Sequence, residues 1–422
     1  MTILIRKAVI VDPSSPFHQK TMDLLIRDGL IETIATNIKT TADQIIEITG
    51  LHVSPGWFDP FAHFCDPGLE QKETIETGIA AAAAGGFTEV MLVPNTQPVI
   101  SGKAQVHYIL KKAKDLPVLV HPLGTVTKHA EGKEIAEMYD MQNEGAKAFT
   151  DGWSPVQSAG LLLKALQYVK AFNGTIIQVP DDRSIGTYGL VNEGKISTQM
   201  GLPGKPMLAE IIAIEKDIRL AAYAQSSLHI TGVTTAEGLT KIKEAKKLGV
   251  QVSCSVAPYH VYFSDADLQQ YDTNLKVFPP LRTATEIAAL KQALIDGTID
   301  CISAHHRPHE WDSKTCEFEY AQYGMESLES CYGAFGAAMG EALTPERWVT
   351  VAAINPRKIF GIAPPQIAEG KSVNVTLFDP AATYTFEKEM IRSKSANNAF
   401  LGKILRGKVW GIIQNQHIHL NK

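Results

Sequence analysis

The stretch FDPFAHFCDPG, Phe58 to Gly68, gathers Asp59, His63 and Cys65 into one short run. A carboxylate and an imidazole so placed can ligate a divalent cation, which turns bound water into hydroxide near neutral pH. A second imidazole two residues before His63 would complete a ligand pair on one strand face, because strand side chains alternate with period two. Phe61 stands at that position. Elsewhere HHRPHE, His305 to Glu310, is dense in imidazoles, and Asp151 ends the apolar run KAFTD. Cys65 beside His63 also suggests a thiol nucleophile, but an unpaired thiol packed at a strand end accounts for it more simply. The C-terminal HIH (His417, His419) sets two imidazoles on one strand face, a weak metal signal that reads better as part of a β strand.

Such residues need elements that bring them together. Residues 1–53 alternate apolar and polar in short runs (ILIRKAVIV, DLLIRDG, LIETIA, QIIEITG) broken by Asp-Pro and Asp-Gly. This is the signature of small antiparallel strands. Residues 364–422 resume the style in SVNVTLFDP, TYTFEK, KILRGKVWGIIQ and HIHL, so both termini are expected to build one small β domain. Between them, residues 54–363 alternate buried strands such as EVMLVPN, TIIQVP and QVSCSVAP with amphipathic helices such as PVQSAGLLLKALQYVKAF and TAEGLTKIKEAKKLG. That order predicts an α/β fold, a (β/α)8 TIM-like barrel. No GxGxxG or GxxxxGK[ST] follows the early strands, which argues against a nucleotide-binding sheet. Barrel chemistry sits at the C-terminal strand ends. Those ends carry Asp59, His63, Asn95, His121, Asp151, Gln178, Gly232, His305, His306 and His309.

Bulk properties narrow the classes. The chain has 422 residues, 45% hydrophobic and 20% charged, with a net charge of -5. Without a basic run it is a poor candidate for nucleic acid or anionic membrane. No apolar run approaches the roughly 18 residues of a membrane helix. The five scattered cysteines contain no CxxC pair and read as reduced thiols of a cytoplasmic protein.

PGWFDPFAHFCDPGLEQKETIETGIAAAAAGGFTEVMLVPNTQPV resembles the signature of the dihydroorotases, class I members of the amidohydrolase superfamily. AFTDG, VNEGKISTQMGLPGKPMLAE, LHITGVTT, KVFPPLR, DCISAHHRPHE and SKSANNAFLGKILRGKV extend the resemblance along most of the chain. It implies an amidohydrolase barrel with a small β-sandwich domain, acting on cyclic amides through zinc. The family's zinc ligands are an HxH pair, a carboxylate or modified Lys, two further His residues and an Asp. Carried over residue by residue, the set is largely replaced. His63 and Asp151 survive, while Phe61, Gln178, Gly232 and His305 stand at the other four positions, the last being that of the catalytic Asp. Gly152 and Pro180 replace acidic neighbours. Cys65 takes the place of the Arg that clamps the substrate carboxylate, and Phe278 that of an Asn. Asn95 and His309 are kept from the substrate pocket, and Arg307 is a new cation there.

The expectation is therefore a dihydroorotase-like protein of pyrimidine biosynthesis that has lost catalysis and needs no cofactor. Degenerate members of this kind associate with aspartate carbamoyltransferase, which the resemblance suggests as a partner of a homo-oligomeric chain. Two alternatives stay open. One is an active hydrolase with a single zinc on His63, Asp151 and His305. The other is a small-molecule sensor using Asn95, Arg307 and His309.

Overall fold

The computed structural model describes residues 1–421. The two terminal strand sets share one sheet. Its order runs from His417–Leu420 through Ile404–Gln414, Asn374–Thr385, His52–Pro55 and Thr2–Ile10 to Thr21–Arg27 and Leu30–Ala35, with Gln44–Glu47 pairing alongside Thr2–Ile10. The join is antiparallel, Val375 opposite Pro55 and Leu377 opposite Val53. The apolar side chains of the alternating runs, including Ile3, Ile5, Leu24, Ile26, Val53 and Leu377, form a core of their own. The ladders make one continuous sheet, where two stacked sheets were expected, because each terminal set pairs edge to edge with the other.

The middle of the chain builds two parallel sheets. One contains Trp57–Ala62, Phe87–Leu92 and Leu119–Pro122; the other contains Thr175–Gln178, Ser227–Thr231, Val252–Val256 and Cys301–Ile302. Trp57–Ala62, Phe87–Leu92 and Thr175–Gln178 are buried on both faces, as strands under helical cover must be. Helices follow the predicted segments. Ile75–Ala84 starts at Thr74, whose hydroxyl accepts from the Thr77 amide, and Ala159–Lys170 starts at Ser158, which accepts from Leu161.

The predicted strand at AKAFTD is reduced to two bridges, Phe149 with Gly124 and Phe149 with Ile176, which link the two sheets. At the opposite side the link is sparser still. The His63 N–H donates to the His306 carbonyl at 2.9 Å, and the Ala304 N–H donates to the Asp59 carboxylate at 2.5 Å. Among the described residues, no helix is long and apolar enough to cross a membrane.

A buried ion network ties strands to helices at the far end from the candidate site. Arg357 donates to Glu89 and to the carbonyls of Gly56 and Ala353, while His121 meets the second Glu89 oxygen at 3.0 Å. His121 is thus committed to this network and does not face the site. These partners hold the Glu89 carboxyl down to about 2 against the upward push of burial. Replacing Arg357 by Ala strands that carboxylate, so R357A is expected to lose about 3–5 kcal/mol of stability in urea unfolding.

Candidate functional site

Phe61 sits in the middle of a packed aromatic group. Its ring is fully buried, 4.9 Å from Trp153 and 5.0 Å from His305 between centroids, and Trp153 and His305 are 5.2 Å apart. The Phe61–Trp153 and Trp153–His305 contacts are edge-on, each adding about 0.5–1.5 kcal/mol beyond area burial, while Phe61 and His305 are tilted at 34°. The Arg307 guanidinium lies 4.7 Å from the Trp153 ring centre. Trp153 escaped the sequence reading. The one signal for it was a large ring two residues after Asp151, at the end of a barrel strand.

His305 fills the space that a side chain at position 232 would need. A Cβ added to Gly232 would lie 2.7 Å from His305 Cε1, and the backbone there has a positive φ of 76°. The His305 ring is held by Thr231, whose hydroxyl lies 2.7 Å from Nε2. His305 itself has a φ of 50°, a conformation L-residues seldom adopt. Burial holds its imidazole neutral, far below the ordinary range.

Asp151, Asn95 and Gln178 are bound to backbone. Asp151 accepts from the Val126 and Thr127 amides at 2.9 Å each and from the Thr127 hydroxyl at 2.5 Å. Burial outweighs these donors and raises its carboxyl to about 6. Asn95 donates to the Asp151 carbonyl at 3.1 Å and accepts from the Trp153 amide at 3.3 Å. A Cβ at Gly152 would stand 1.7 Å from the Asn95 amide oxygen, so the missing acidic neighbour makes room for this bridge. Gln178 clamps Val156, accepting from its N–H and donating to its carbonyl at 3.3 Å each, with Asp217 at 3.5 Å.

His63 faces Cys65, with Nδ1 3.6 Å from Sγ, and its buried Nε2 has no partner among the described residues. Burial lowers the imidazole to about 3 and pushes the Cys65 thiol up, which removes the thiolate a nucleophile requires. The three proposed zinc ligands are not brought together. Asp151 turns to the 126–127 loop and His305 to Thr231, leaving His63 alone. Among the described residues, the group whose ligand atoms lie within 4.8 Å of one another is His306, Glu326 and Glu329. There His306 Nδ1 accepts from the Ser327 amide at 3.2 Å. The neutral ring therefore carries its proton on Nε2, 3.5 Å from Glu73, and offers no free lone pair to a cation. Burial and the neighbouring Glu329 raise the Glu326 carboxyl well above its usual range.

The zinc centre implied by the resemblance does not fit these side chains. A ring, a backbone-bound amide, an absent side chain and an imidazole lying in its place occupy the lost ligand positions, so no catalytic step follows.

Above the aromatic group a cavity of about 410 Å³ opens at the barrel mouth, lined in part by Trp153, Asp181, Arg183, Lys205, Phe278, Arg307 and Tyr323. Of the four expected pocket remnants only Arg307 reaches it. Asn95 is committed to Asp151 and Trp153, and Cys65 is buried against His63. His309 lies against the Tyr323 carbonyl at 2.9 Å and Lys72 at 3.4 Å. His417 and His419 lie on the last strand of the terminal sheet.

This architecture is shared with solved hydantoinase and dihydropyrimidinase structures. The chain superimposes on L-hydantoinase (dihydropyrimidinase) from Arthrobacter aurescens with a TM-score of 0.87 at 22% identity, covering 100% of this chain and 96% of that one. It superimposes on dihydropyrimidinase from Brevibacillus agri with a TM-score of 0.84 at 21% identity, over 100% and 95%. A family model described as Dihydro-orotase-like matches residues 50–238. Proteins called dihydroorotase from Pelotomaculum thermopropionicum and Geotalea daltonii are 37% and 38% identical, over 98% and 99% of this chain and 97% and 99% of theirs. The chain belongs to the dihydroorotase family.

Two measurements check this geometry. In a double-mutant cycle, Gly232→Ala is expected to cost about 1–3 kcal/mol less in a His305→Ala background than in the wild type, since the φ strain is common to both and only the ring clash differs. The second concerns His63, whose proton the unfolded chain accepts at the ordinary 6.5 and the folded chain only at about 3. Its contribution is intact above pH 6.5 and falls as the pH drops toward 3. Wild type should therefore lose about 1.4 kcal/mol more per pH unit in that window than His63→Gln, by urea unfolding at stepped pH.

Proposed function

We propose that this chain is a dihydroorotase-family protein of pyrimidine synthesis that does not hydrolyse dihydroorotate. Its role is then structural, as an assembly partner of aspartate carbamoyltransferase in the cytoplasm. The observation that carries the reading is the exclusion between His305 and any side chain at position 232, with Phe61 packed on the same imidazole. The relatives' name denotes a hydrolysis that needs at least three protein ligands around a metal-bound hydroxide. Here packing has taken the volume that those ligands and that hydroxide would share. The carbamoyltransferase as partner rests on the resemblance to degenerate family members. We further read the two parallel sheets as arcs of one closed (β/α)8 barrel, on the strength of the His63–His306 and Asp59–Ala304 hydrogen bonds.

The test is a dihydroorotate assay on purified protein with added zinc or manganese, alongside elemental analysis, then size-exclusion chromatography with aspartate carbamoyltransferase from the same organism. Expected are no turnover above background and a shared elution peak. Metal-dependent turnover abolished by His63→Ala would sink the non-catalytic reading. Separate peaks for the two proteins would sink the partnership.

A further inference from the structure

A second cavity, of about 640 Å³, opens beside residues 310–315 and shares no lining residue with the mouth cavity. Three lysines line it, Lys314, Lys388 and Lys394, against one carboxylate, Glu310. Lys314 is buried, and its ammonium donates to the carbonyls of Thr273 at 2.9 Å and Gln322 at 2.6 Å. An ammonium has three N–H donors. The third finds no acceptor, and among the described residues Lys314 forms no ion pair. A buried cation without a counter-charge is costly. Burial, and after it the charges of Arg307 and Lys276, lower the amine to about 7, a cost that an anion in the cavity would relieve. Lys388 and Lys394 are exposed and add two further positive charges to the lining.

Two other lining groups are unmet. Glu310 accepts from the Ser313 hydroxyl at 2.5 Å through Oε1, while its Oε2 is buried with no hydrogen-bond partner among the described residues. A buried carboxylate oxygen of this kind calls for a donor. Trp311 is 75% exposed, so its ring surface is open to a flat partner.

We propose that this cavity binds a nucleoside phosphate, with the phosphate among Lys314, Lys388 and Lys394, a ribose hydroxyl donating to Glu310 Oε2 and the base stacked on Trp311. Each unmet group then answers one part of the ligand. A simple anion would leave Glu310 and Trp311 unanswered, and a free nucleoside would leave the lysines so. Every base has a face to stack, so the geometry names the class of ligand and leaves the base open. The volume falls within the roughly 300–1,000 Å³ usual for small-ligand sites. The proposal goes beyond the assembly role and does not depend on it. Binding is read without a partner protein or turnover, so either reading can fail alone.

AMP is the probe, followed by tryptophan fluorescence and confirmed by calorimetry. Adenosine removes the phosphate, ribose 5-phosphate the base and 2′,3′-dideoxy-AMP the hydroxyls. Saturable AMP binding is expected, with each of the three at least about tenfold weaker. The fluorescence change should vanish in Trp311→Phe. Lys314 ties two carbonyls together, so the charge is tested on the exposed pair. Lys388→Gln combined with Lys394→Gln should weaken AMP by at least about tenfold at an unchanged melting temperature. Adenosine or ribose 5-phosphate binding as tightly as AMP would overturn the assignment. So would wild-type affinity in the double lysine variant, a signal that survives Trp311→Phe, or no saturable binding.

Discussion

Position 232 and the His305 ring exclude each other, and the rest of the strand-end layer is arranged around that fact. A residue with a Cβ at 232 would press into the imidazole at 2.7 Å, and the positive φ there already disfavours one. With the side chain absent, His305 can turn inward, bond Thr231 and lie against Phe61 and Trp153. Barrel interiors are filled by layers of side chains at near-crystalline density, and a gap at this level would be a costly void. Here three aromatic rings do that. The substitutions at 61, 232 and 305 thus make physical sense as a set, each one explaining the space or the ring beside it.

The polar side chains of this layer answer a different demand. Buried carboxylates and amides must find partners, and Asp151, Asn95 and Gln178 find theirs in backbone groups of residues 126–127, 151–153 and 156. In that role Asp151 holds one loop to another, and Asn95 fixes the turn that aims Trp153 into the aromatic group. Loss of any of them would loosen the frame of the mouth, whether or not a metal was ever bound. Retention of a family residue is therefore no measure of retained chemistry in this chain.

Much of the fold was legible because it rests on local pattern. The period-two runs at both ends, the capped amphipathic helices and the short apolar strands recur where the pattern put them. The exceptions are instructive. AKAFTD read as a strand but forms only the bridges through Phe149, since a short segment between two sheets need not extend a ladder. The terminal strands pair into one sheet because edge pairing is a tertiary choice that alternation does not encode. At the site, the lost ligands could be named from the sequence, and the directions of the remaining side chains could not. Asn95, His309 and Arg307 were grouped as pocket residues, yet two of them point to backbone carbonyls or amides. Trp153 went unseen because nothing local distinguishes a ring that plugs a barrel from one that packs elsewhere.

Trp153 also stands between two regions of different character. Below it lie Phe61 and a neutral His305, sealed and apolar; above it lies the cavity with its uncommitted guanidinium. A metal hydrolase needs the substrate-binding mouth to open directly onto the ligated hydroxide, because reacting atoms must approach within about 3–3.5 Å. The same ring that packs on Phe61 and His305 supports Arg307, so the aromatic layer and the cavity above it share one side chain. That coupling ties the order of the cavity lining to the packing of the aromatic layer beneath it.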